Sequence, residues 1–485
     1  MVFDDLRQFI KFLKDNNDLA EVNEKVDPIL EAAEITDRVV KMSGPALLFN
    51  NMAGCSIPYL TNIYGTEKRM LNALGVNDYS EITGRIENFL KPPEKMGIID
   101  KMTQVPKLFE LSRAFPETGD KLKAPCKEII LKDDECDLGV FPVIKCWPDD
   151  GGKFITLPVV ITKNPITGVQ NCGMYRMQVF SKNTTGMHWH KHKDGAYIAA
   201  IFKENGNLKV PVSVALGADP AVTFAAAAPL PQGIDEMIFA GFLRNKPVKL
   251  VKSELSDIKV PAEAEIILEG YVDLEELALE GPFGDHTGFY SEADNYPVFH
   301  VKCITMRKNP IYLSTIVGVP PMEDFYMGKA IERIFLPLLK MQCPEIIDIS
   351  FPRAGVFHNL ALVKIKKSYH GQPQKIFNYF WGQNQLMFTK NIVVFDENTD
   401  IHNSEEALFM MLANVDFKRD VSVMDGPLDV LDHASAVFCY GAKVGIDATF
   451  KDGQPGCRKW PKVAKMHQNI KKIVDEKWDK YQIKL

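Results

Sequence analysis

The chain has 485 residues, about three domains' worth at roughly 150 residues per domain. Hydrophobic residues make up 46 % and charged residues 25 %, a globular composition that excludes a disordered chain and needs no disulfide or metal staple to build its cores. The formal net charge of −6 argues against a general nucleic-acid binder, which needs a basic surplus for phosphates.

In chain order, the start Met1-Val-Phe-Asp-Asp-Leu-Arg7 carries acids where a secretory leader is basic. It reads as the first turn of a helix with Leu6, Phe9, Ile10 and Leu13 on one face. A helix is predicted over 28–42, with Asp27 and Pro28 as cap and first turn, then strands over 46–49 and 59–63. Lys91-Pro-Pro-Glu-Lys-Met-Gly97 is a breaker, and the polar connector 116–125 marks a boundary near 120. Strand-like runs follow at 128–131, 154–162, 173–180, 210–216, 264–272, 298–306 and 311–317, with a helix within 234–242. That density of short strands predicts a closed or split barrel with covering helices. Beyond the connector 318–324, helical periods alternate with apolar strands at 359–365 and 391–395, as in an α/β unit. From Val463 onward a basic amphipathic helix is predicted. Its apolar stripe of Val463, Met466, Ile470, Ile473, Val474 and Trp478 can meet an anionic membrane or a partner subunit, and its lysines suit an ordinary solvated face.

The nine cysteines are scattered without a CxxC pair, which suits a reducing cytoplasm and excludes zinc-ribbon and thioredoxin-type sites. No run approaches the ~18 apolar residues of a membrane span. P-loop, GxGxxG, GxSxG and HExxH motifs are absent.

Four constellations can carry chemistry. Glu280-Gly-Pro-Phe-Gly-Asp285 sets two carboxylates around a turn that can fold them toward one cavity, where unlike surroundings would split their proton affinities; the acids also read as a solvated loop. In His188-Trp-His-Lys-His192, a strand would put three imidazoles on one face, for a metal or a phosphate, or leave them half-exposed. The turn Lys193-Asp194-Gly195 follows. Asn171-Cys-Gly-Met-Tyr-Arg176 offers a carbonyl oxygen for a hard cation and a guanidinium for a carboxylate or a cross-strand ion pair. Positions 171 and 176 fall on opposite faces of a regular strand, so a bulge near Gly173, or a strand starting after Asn171, is expected. Asp235 and Glu236 sit in a helical first turn, where acids suit the dipole and Glu236 can also hold a metal.

Together these segments resemble the UbiD family of prenylated-FMN-dependent decarboxylases. The resemblance rests on Asn171–Phe180, Gly186–Gly195 and Glu280-Gly-Pro-Phe-Gly-Asp-His-Thr-Gly288. It extends to Gly426-Pro-Leu-Asp-Val-Leu-Asp-His-Ala-Ser435 and Tyr440-Gly-Ala-Lys-Val-Gly-Ile-Asp-Ala-Thr449. It implies an α+β fold in three parts: an N-terminal α/β region (1–120), a cofactor-binding split β-barrel like that of flavin reductases (121–322), and a C-terminal α/β oligomerisation domain with the basic helix (323–485).

By the same resemblance, Asn171 and Glu236, with His192 as a further candidate, hold a divalent metal, usually manganese, that bridges protein and flavin phosphate; potassium is a further candidate ion. Met174, Tyr175 and Arg176, then His188, Trp189 and His190, then Lys193 and Asp194, match flavin-contacting patches. Arg176, Glu280 and Asp285 match the catalytic trio: Arg176 orients the substrate carboxylate or polarises the cofactor adduct, Glu280 tunes Arg176, and Asp285 donates the proton that replaces CO2. His188, His190 and Asp194 depart from the prenyl-hydroxybenzoate type, which carries arginine, leucine and glycine there.

The activity so implied is reversible decarboxylation of a hydroxyaryl or α,β-unsaturated acid, in ubiquinone- or menaquinone-type biosynthesis. A flavin prenyltransferase would supply the cofactor, the chain would form a dimer or hexamer, and the basic helix allows peripheral contact with the inner face of a membrane. The alternatives are a non-catalytic flavin- or phosphate-binding subunit of a carboxylase complex, and a metal-dependent hydrolase using the three histidines.

Overall fold

The computed structural model describes residues 2–90, 112–190, 193–454 and 456–483; the Lys91–Gly97 breaker and His192 lie outside them. Alternating polarity and β-branched residues build three main sheets, each buried on at least one face.

The N-terminal sheet runs in the order Leu19–Val22, Ala46–Phe49, Tyr59–Thr61, Tyr312–Leu313. Its last strand comes from far along the chain and pairs in parallel with Tyr59–Thr61. The helix Leu6–Asp15 starts where the Asp5 carboxylate accepts the Gln8 amide at 2.9 Å. Its stripe of Leu6, Phe9 and Leu13 is fully buried in a cluster with Leu60, Tyr64, Phe224, Leu313 and Ile334, which joins residues from all three parts of the chain.

The central sheet is antiparallel throughout, in the order Thr184–Gly186, Asp294–Met306, Ile266–Glu280, Lys209–Leu216, Val159–Lys163, Gln170–Gly173, with Ile129–Lys132 added beside Asp294–Met306. Among the described residues this pairing is an open path with no closing ladder, so the expected barrel is present as an α+β layer around an open sheet. The long hairpin Ile266–Glu280/Asp294–Met306 is its spine, and its register shifts between Glu269 and Gly270. Gly270 is required there, because a Cβ would lie 1.8 Å from the His300 carbonyl oxygen. Beside it, the buried Glu269 carboxylate takes Lys127 Nζ at 2.7 Å and the amides of Glu254 and Leu255 at 2.6 and 3.0 Å.

The C-terminal sheet is mixed, in the order Ile346–Ser350, Leu360–Ile365, Asn391–Asp396, Tyr440–Asp447, Val421–Pro427. Alternation sends Ala361, Val363, Ile392 and Val394 to one core with Ile376 and Phe377, and Leu362, Val393 and Phe395 to another with Ala407.

Several expectations are corrected. The second helix spans Glu31–Lys41, not 28–42, because Leu30 takes a positive φ of 69° ahead of it. The run 154–162 is two strands, Phe154–Ile155 and Val159–Lys163, interrupted at Pro158. The run 173–180 is likewise broken: Gln170–Gly173 pairs with Val159–Lys163, and Met177–Gln178 with Phe154–Ile155. Of 311–317 only Tyr312–Leu313 is strand. The terminal helix is Gln468–Lys477, so Val463 and Met466 precede it, and none of its residues is buried. No helix among the described residues is long and apolar enough to cross a membrane.

Gly270→Ala should destabilise the protein by about 1–3 kcal/mol, because the added methyl forces the central hairpin apart. Urea denaturation reads this directly. Gly84→Ala, in open space on the helix Ser80–Leu90, is the control and should raise the midpoint slightly, by the roughly 0.5–1 kcal/mol that separates the two residues in a helix.

Candidate active site

The spine hairpin ends at the site. Glu280 is the last residue of its strand, and the chain then turns through Gly281, at φ 100°, into the short pair Phe283–Gly284/Tyr290–Ser291, which returns Asp285 beside Glu280. Asp150 holds this loop: its Oδ1 accepts the Gly284 amide at 2.7 Å, and its Oδ2 the Cys146 and Trp147 amides at 3.1 and 2.9 Å. The Trp147 ring covers Gly284 so closely that a Cβ there would lie 2.2 Å from Cδ1. Arg176 arrives from the irregular segment between Gly173 and Met177. The strand ends after Gly173, which resolves the facing problem of Asn171 and Arg176 without a bulge.

The structure brings Arg176, Glu280 and Asp285 together. The guanidinium donates from Nε to Glu280 Oε1 at 3.1 Å, from Nη1 to Asp285 Oδ2, and from Nη2 to Ser291 Oγ at 3.0 Å, and its carbon lies 4.5 Å from the centre of the Phe283 ring. Glu280 is completely buried. Its Oε1 also lies 2.7 Å from His188 Nδ1, and its unpartnered Oε2 presses on Gly186, where a Cβ would sit 2.7 Å away. Burial alone would raise the Asp285 carboxyl. The hydrogen bond and charge of His286, with the charge of Arg176, instead hold it well below the usual carboxylate range, so in this arrangement Asp285 is ionised.

A cavity of about 560 Å³ opens beside the trio. Arg176, His188, His190 and Tyr296 line one wall, and Leu431, His433 and Phe438 from the C-terminal part line the other. His188 and His190 do not lie in a strand, contrary to expectation, yet their rings meet edge to face at 4.4 Å. Tyr296 packs tilted against His188 at 4.2 Å, and His433 against Phe289 at 4.2 Å. Ser291 and Tyr296 were invisible to motif reasoning. His286 and the loop 426–435 stood within the quoted motifs, but no site role was given to them.

A second cavity, about 280 Å³, includes Asn171, Asp194, Gln232 and Glu236 in its lining. Asp235 is the cap of helix Glu236–Arg244, accepting the Met237 amide at 2.8 Å, so only Glu236 lies within the first turn. Glu236 accepts the Cys172 amide at 2.7 Å and Asn171 Nδ2 at 3.1 Å, and burial pushes its carboxyl up to about 8. Asn171 Oδ1 is buried without a partner. A buried carboxylate beside an orphaned carbonyl oxygen is a hard-oxygen donor set that a divalent cation fits. Cys172 Sγ and Asp235 stand close enough to join it, but burial keeps the Cys172 thiol protonated, which leaves the oxygens as the donors.

The remaining residues of interest link the two cavities. Met174 donates its amide to Ala226 O at 3.1 Å. The Tyr175 ring lies over Gly173, and its hydroxyl accepts the Gly195 amide at 3.2 Å. Trp189 is buried against Gly195 with Nε1 unpartnered. Lys193 and Asp194 open the helix Asp194–Glu204, and Lys193 Nζ donates to Gln385 Oε1 at 3.2 Å. A helix N-terminus with a lysine suits a phosphate. The orphaned Asn171 Oδ1 lines the second cavity, and with the buried Trp189 Nε1 it is a polar group that an extended polar cofactor could satisfy.

Arg176→Met strands two buried carboxylates and should cost about 3–5 kcal/mol in urea denaturation. Adding Glu280→Gln should recover part of the loss. A single variant within about 1 kcal/mol of the wild type contradicts this electrostatic account.

Comparison with known proteins bears on the whole chain. Residues 10–86, 118–320 and 325–448 match the N-terminal, Rift-related and C-terminal domains of 3-octaprenyl-4-hydroxybenzoate carboxy-lyase, the three domains of the UbiD family. A protein of Archaeoglobus fulgidus with no assigned function is 48 % identical over 482 residues, covering 99 % of this chain and 98 % of its own length. One from Aquifex aeolicus, also unassigned, is 46 % identical over 480 residues, 98 % of each chain. The UbiD-class enzyme HmfF from Pelotomaculum thermopropionicum, solved in complex with FMN, superposes with a TM-score of 0.79 at 26 % identity, covering 97 % of this chain and 99 % of that one. The closed form of the vanillic acid decarboxylase of Sedimentibacter hydroxybenzoicus shares the fold at a TM-score of 0.86, 24 % identity and full coverage of both chains. With three consecutive domains matched and near-full-length relatives at almost half identity, this chain is a member of the UbiD carboxy-lyase family.

Proposed function

We propose that the protein is a prenylated-FMN-dependent, reversible decarboxylase of a hydroxyaryl or similarly unsaturated carboxylic acid. The observation that carries this reading is one buried guanidinium joined to two carboxylates at the wall of a 560 Å³ cavity. Buried glutamate–arginine pairs also serve structure, as Arg7 and Glu265 do here, but this cluster stands at a cavity wall, where perturbed charged groups mark catalytic sites. The hydrolase reading is less favoured: His188 Nδ1 is spent on Glu280, and among the described residues His188 and His190 belong to no cluster that could hold a metal.

Prenylated FMN, when bound, supplies the electron sink for the pair left by C–CO2 cleavage, a charge no side chain stabilises well. Asn171 and Glu236 would hold a divalent cation, manganese in the family pattern, between protein and phosphate. Lys193 and the helix N-terminus would meet the phosphate, and Met174, Tyr175, His188, Trp189, His190 and Asp194 would frame the rest. Arg176 would clamp the substrate carboxylate or polarise the bound cofactor, and Glu280 fixes its plane through Nε. Asp285 would give the proton to carbon. It is ionised in the resting arrangement, so it must first be protonated.

The apolar wall of Val430, Leu431 and Phe438 supports an aryl substrate with a hydrocarbon substituent, as a polyprenyl hydroxybenzoate in quinone biosynthesis would be. Exposed Leu408, Phe409, Leu412 and Phe417 on the C-terminal part support a homo-oligomer.

Protein co-expressed with a flavin prenyltransferase should purify with a modified-flavin absorption band and release CO2 from members of a panel of aromatic and enoic acids. Asp285→Asn should keep the band and lose roughly 10²–10⁴-fold in turnover. Asn171→Ala and Glu236→Ala should lose the band and the bound manganese together. A colourless wild-type protein, or an active Asp285→Asn, refutes the reading.

A further inference from the structure

His286 follows Asp285 in the chain, and no role has yet been given to it. Its Nδ1 lies 2.9 Å from Asp285 Oδ1, the carboxylate oxygen that Arg176 leaves free. Its Nε2 lies 3.3 Å from Nε2 of His358, which belongs to the C-terminal part and stands just before the strand Leu360–Ile365. His358 Nε2 is in turn 3.8 Å from Asp429 Oδ1, on the loop whose next residues line the cavity. An unbroken line of contacts therefore runs from Arg176 through Asp285, His286 and His358 to Asp429, crossing from the central sheet to the C-terminal domain. Side-chain exposure is 12 % at Asp285, 22 % at His286, 12 % at His358 and 26 % at Asp429, so the line meets solvent at His286 and at its far end.

Two nitrogens facing each other at 3.3 Å need one proton between them, and so do His286 Nδ1 and Asp285 Oδ1. Both demands are met when His286 carries two protons and His358 presents a lone pair, or when a neutral His286 accepts from His358; the acids that surround His286 favour the first. We propose that His286 is the proton reserve of Asp285, and that His358, reaching across from the C-terminal part, holds that reserve loaded. This rests on the decarboxylase reading above.

The steps balance. The His286 Nδ1–H bond breaks as an O–H bond forms on Asp285 Oδ1, leaving a neutral imidazole with its proton on Nε2. That O–H bond then breaks as a C–H bond forms with the electron pair released by C–CO2 cleavage. One proton from water restores Nδ1–H. His286 acts through Asp285, so it is a positioning and proton-storing residue.

The charges around the ring agree with this state. Asp285 faces His286 from its own loop, Asp324 from the first turn of the helix Glu323–Gln342, and Asp429 from the C-terminal loop; the Phe357 ring packs at 5.6 Å and His358 completes the surround. Burial opposes the charge on His286, but the bond to Asp285 and the three acids raise it above an ordinary histidine. Burial and the neighbouring His286 lower His358, despite Asp429 and Asp432. A group raised in this way is charged below its midpoint and loses its proton as pH rises through it.

The deciding measurement needs no turnover. In cofactor-free protein labelled with ¹³C,¹⁵N-histidine, Gln variants at 286 and 358 assign the two rings. His286 should titrate above pH 6.5 and His358 below it. His358→Phe removes the acceptor and should lower the His286 midpoint by about one unit, a tenfold loss of the charged form at a given pH, while His358→Gln, which keeps an acceptor, should shift it far less. If His358→Phe does not fold, Asp285→Asn should lower the same midpoint. A His286 midpoint at or below 6.5, or one indifferent to these changes, overturns the proposal even if the protein is a decarboxylase. In the holoenzyme, with an acid from the panel that turns over, His286→Gln keeps a donor toward Asp285 but stores no proton. It should lower kcat about 10²-fold with KM little changed and abolish the alkaline fall of kcat. An unchanged alkaline limb in that variant refutes the reserve.

Discussion

One guanidinium organises the site. Arg176 binds two carboxylates that leave the same hairpin five residues apart, and removing it would leave both buried acids without their shared cation. Much of the central architecture serves that meeting. The long spine delivers Glu280, the Trp147 and Asp150 supports return Asp285, and the early stop of the strand Gln170–Gly173 frees the segment that carries Arg176. Phe283 beneath the guanidinium and Gly186 against Glu280 fix the plane in which it can lie. Binding energy in the fold is thus stored as a preset charge arrangement, ready before any substrate enters.

The same arrangement divides labour between the two acids. Glu280 has no contact with solvent and shares one oxygen between Arg176 and His188. Asp285 is slightly exposed and faces a histidine on its other side. Two carboxylates on one cation are therefore chemically distinct, one as a fixed counter-charge and one in contact with a proton source. The second cavity is a separate problem with the same physics, where the buried Glu236 carboxylate takes only neutral donors among the described residues, the Cys172 amide and Asn171 Nδ2.

Local motifs announced the trio because the chemistry sits in short segments whose residue types are unusual: two acids around Gly-Pro-Phe-Gly, and an arginine closing Asn-Cys-Gly-Met-Tyr-Arg. Strand positions such as 209–216 and 391–396 were legible from apolar runs. The breaks were harder. Pro158 splits a run that reads as one strand, and the positive φ of Leu30 delays a helix whose capping residues looked sufficient. The His188–His190 segment failed as a strand because alternation alone cannot tell a ladder from an irregular buried loop. Ser291 and His358 could not be found at all, and Asp429 stood in a quoted motif without a role, since the importance of all three is created by long-range packing.

The parallel pairing of Tyr312–Leu313 with Tyr59–Thr61 has a consequence for biogenesis. Some 250 residues separate the two strands, so a ribosome adding 5–20 residues per second needs on the order of 10–50 s to deliver the missing edge. During that interval the emerging amino-terminal layer exposes an unsatisfied backbone rim, a template for unwanted strand association. Vectorial synthesis therefore cannot finish the first unit before the middle one, and the nascent polypeptide must be kept from self-association until both can close together.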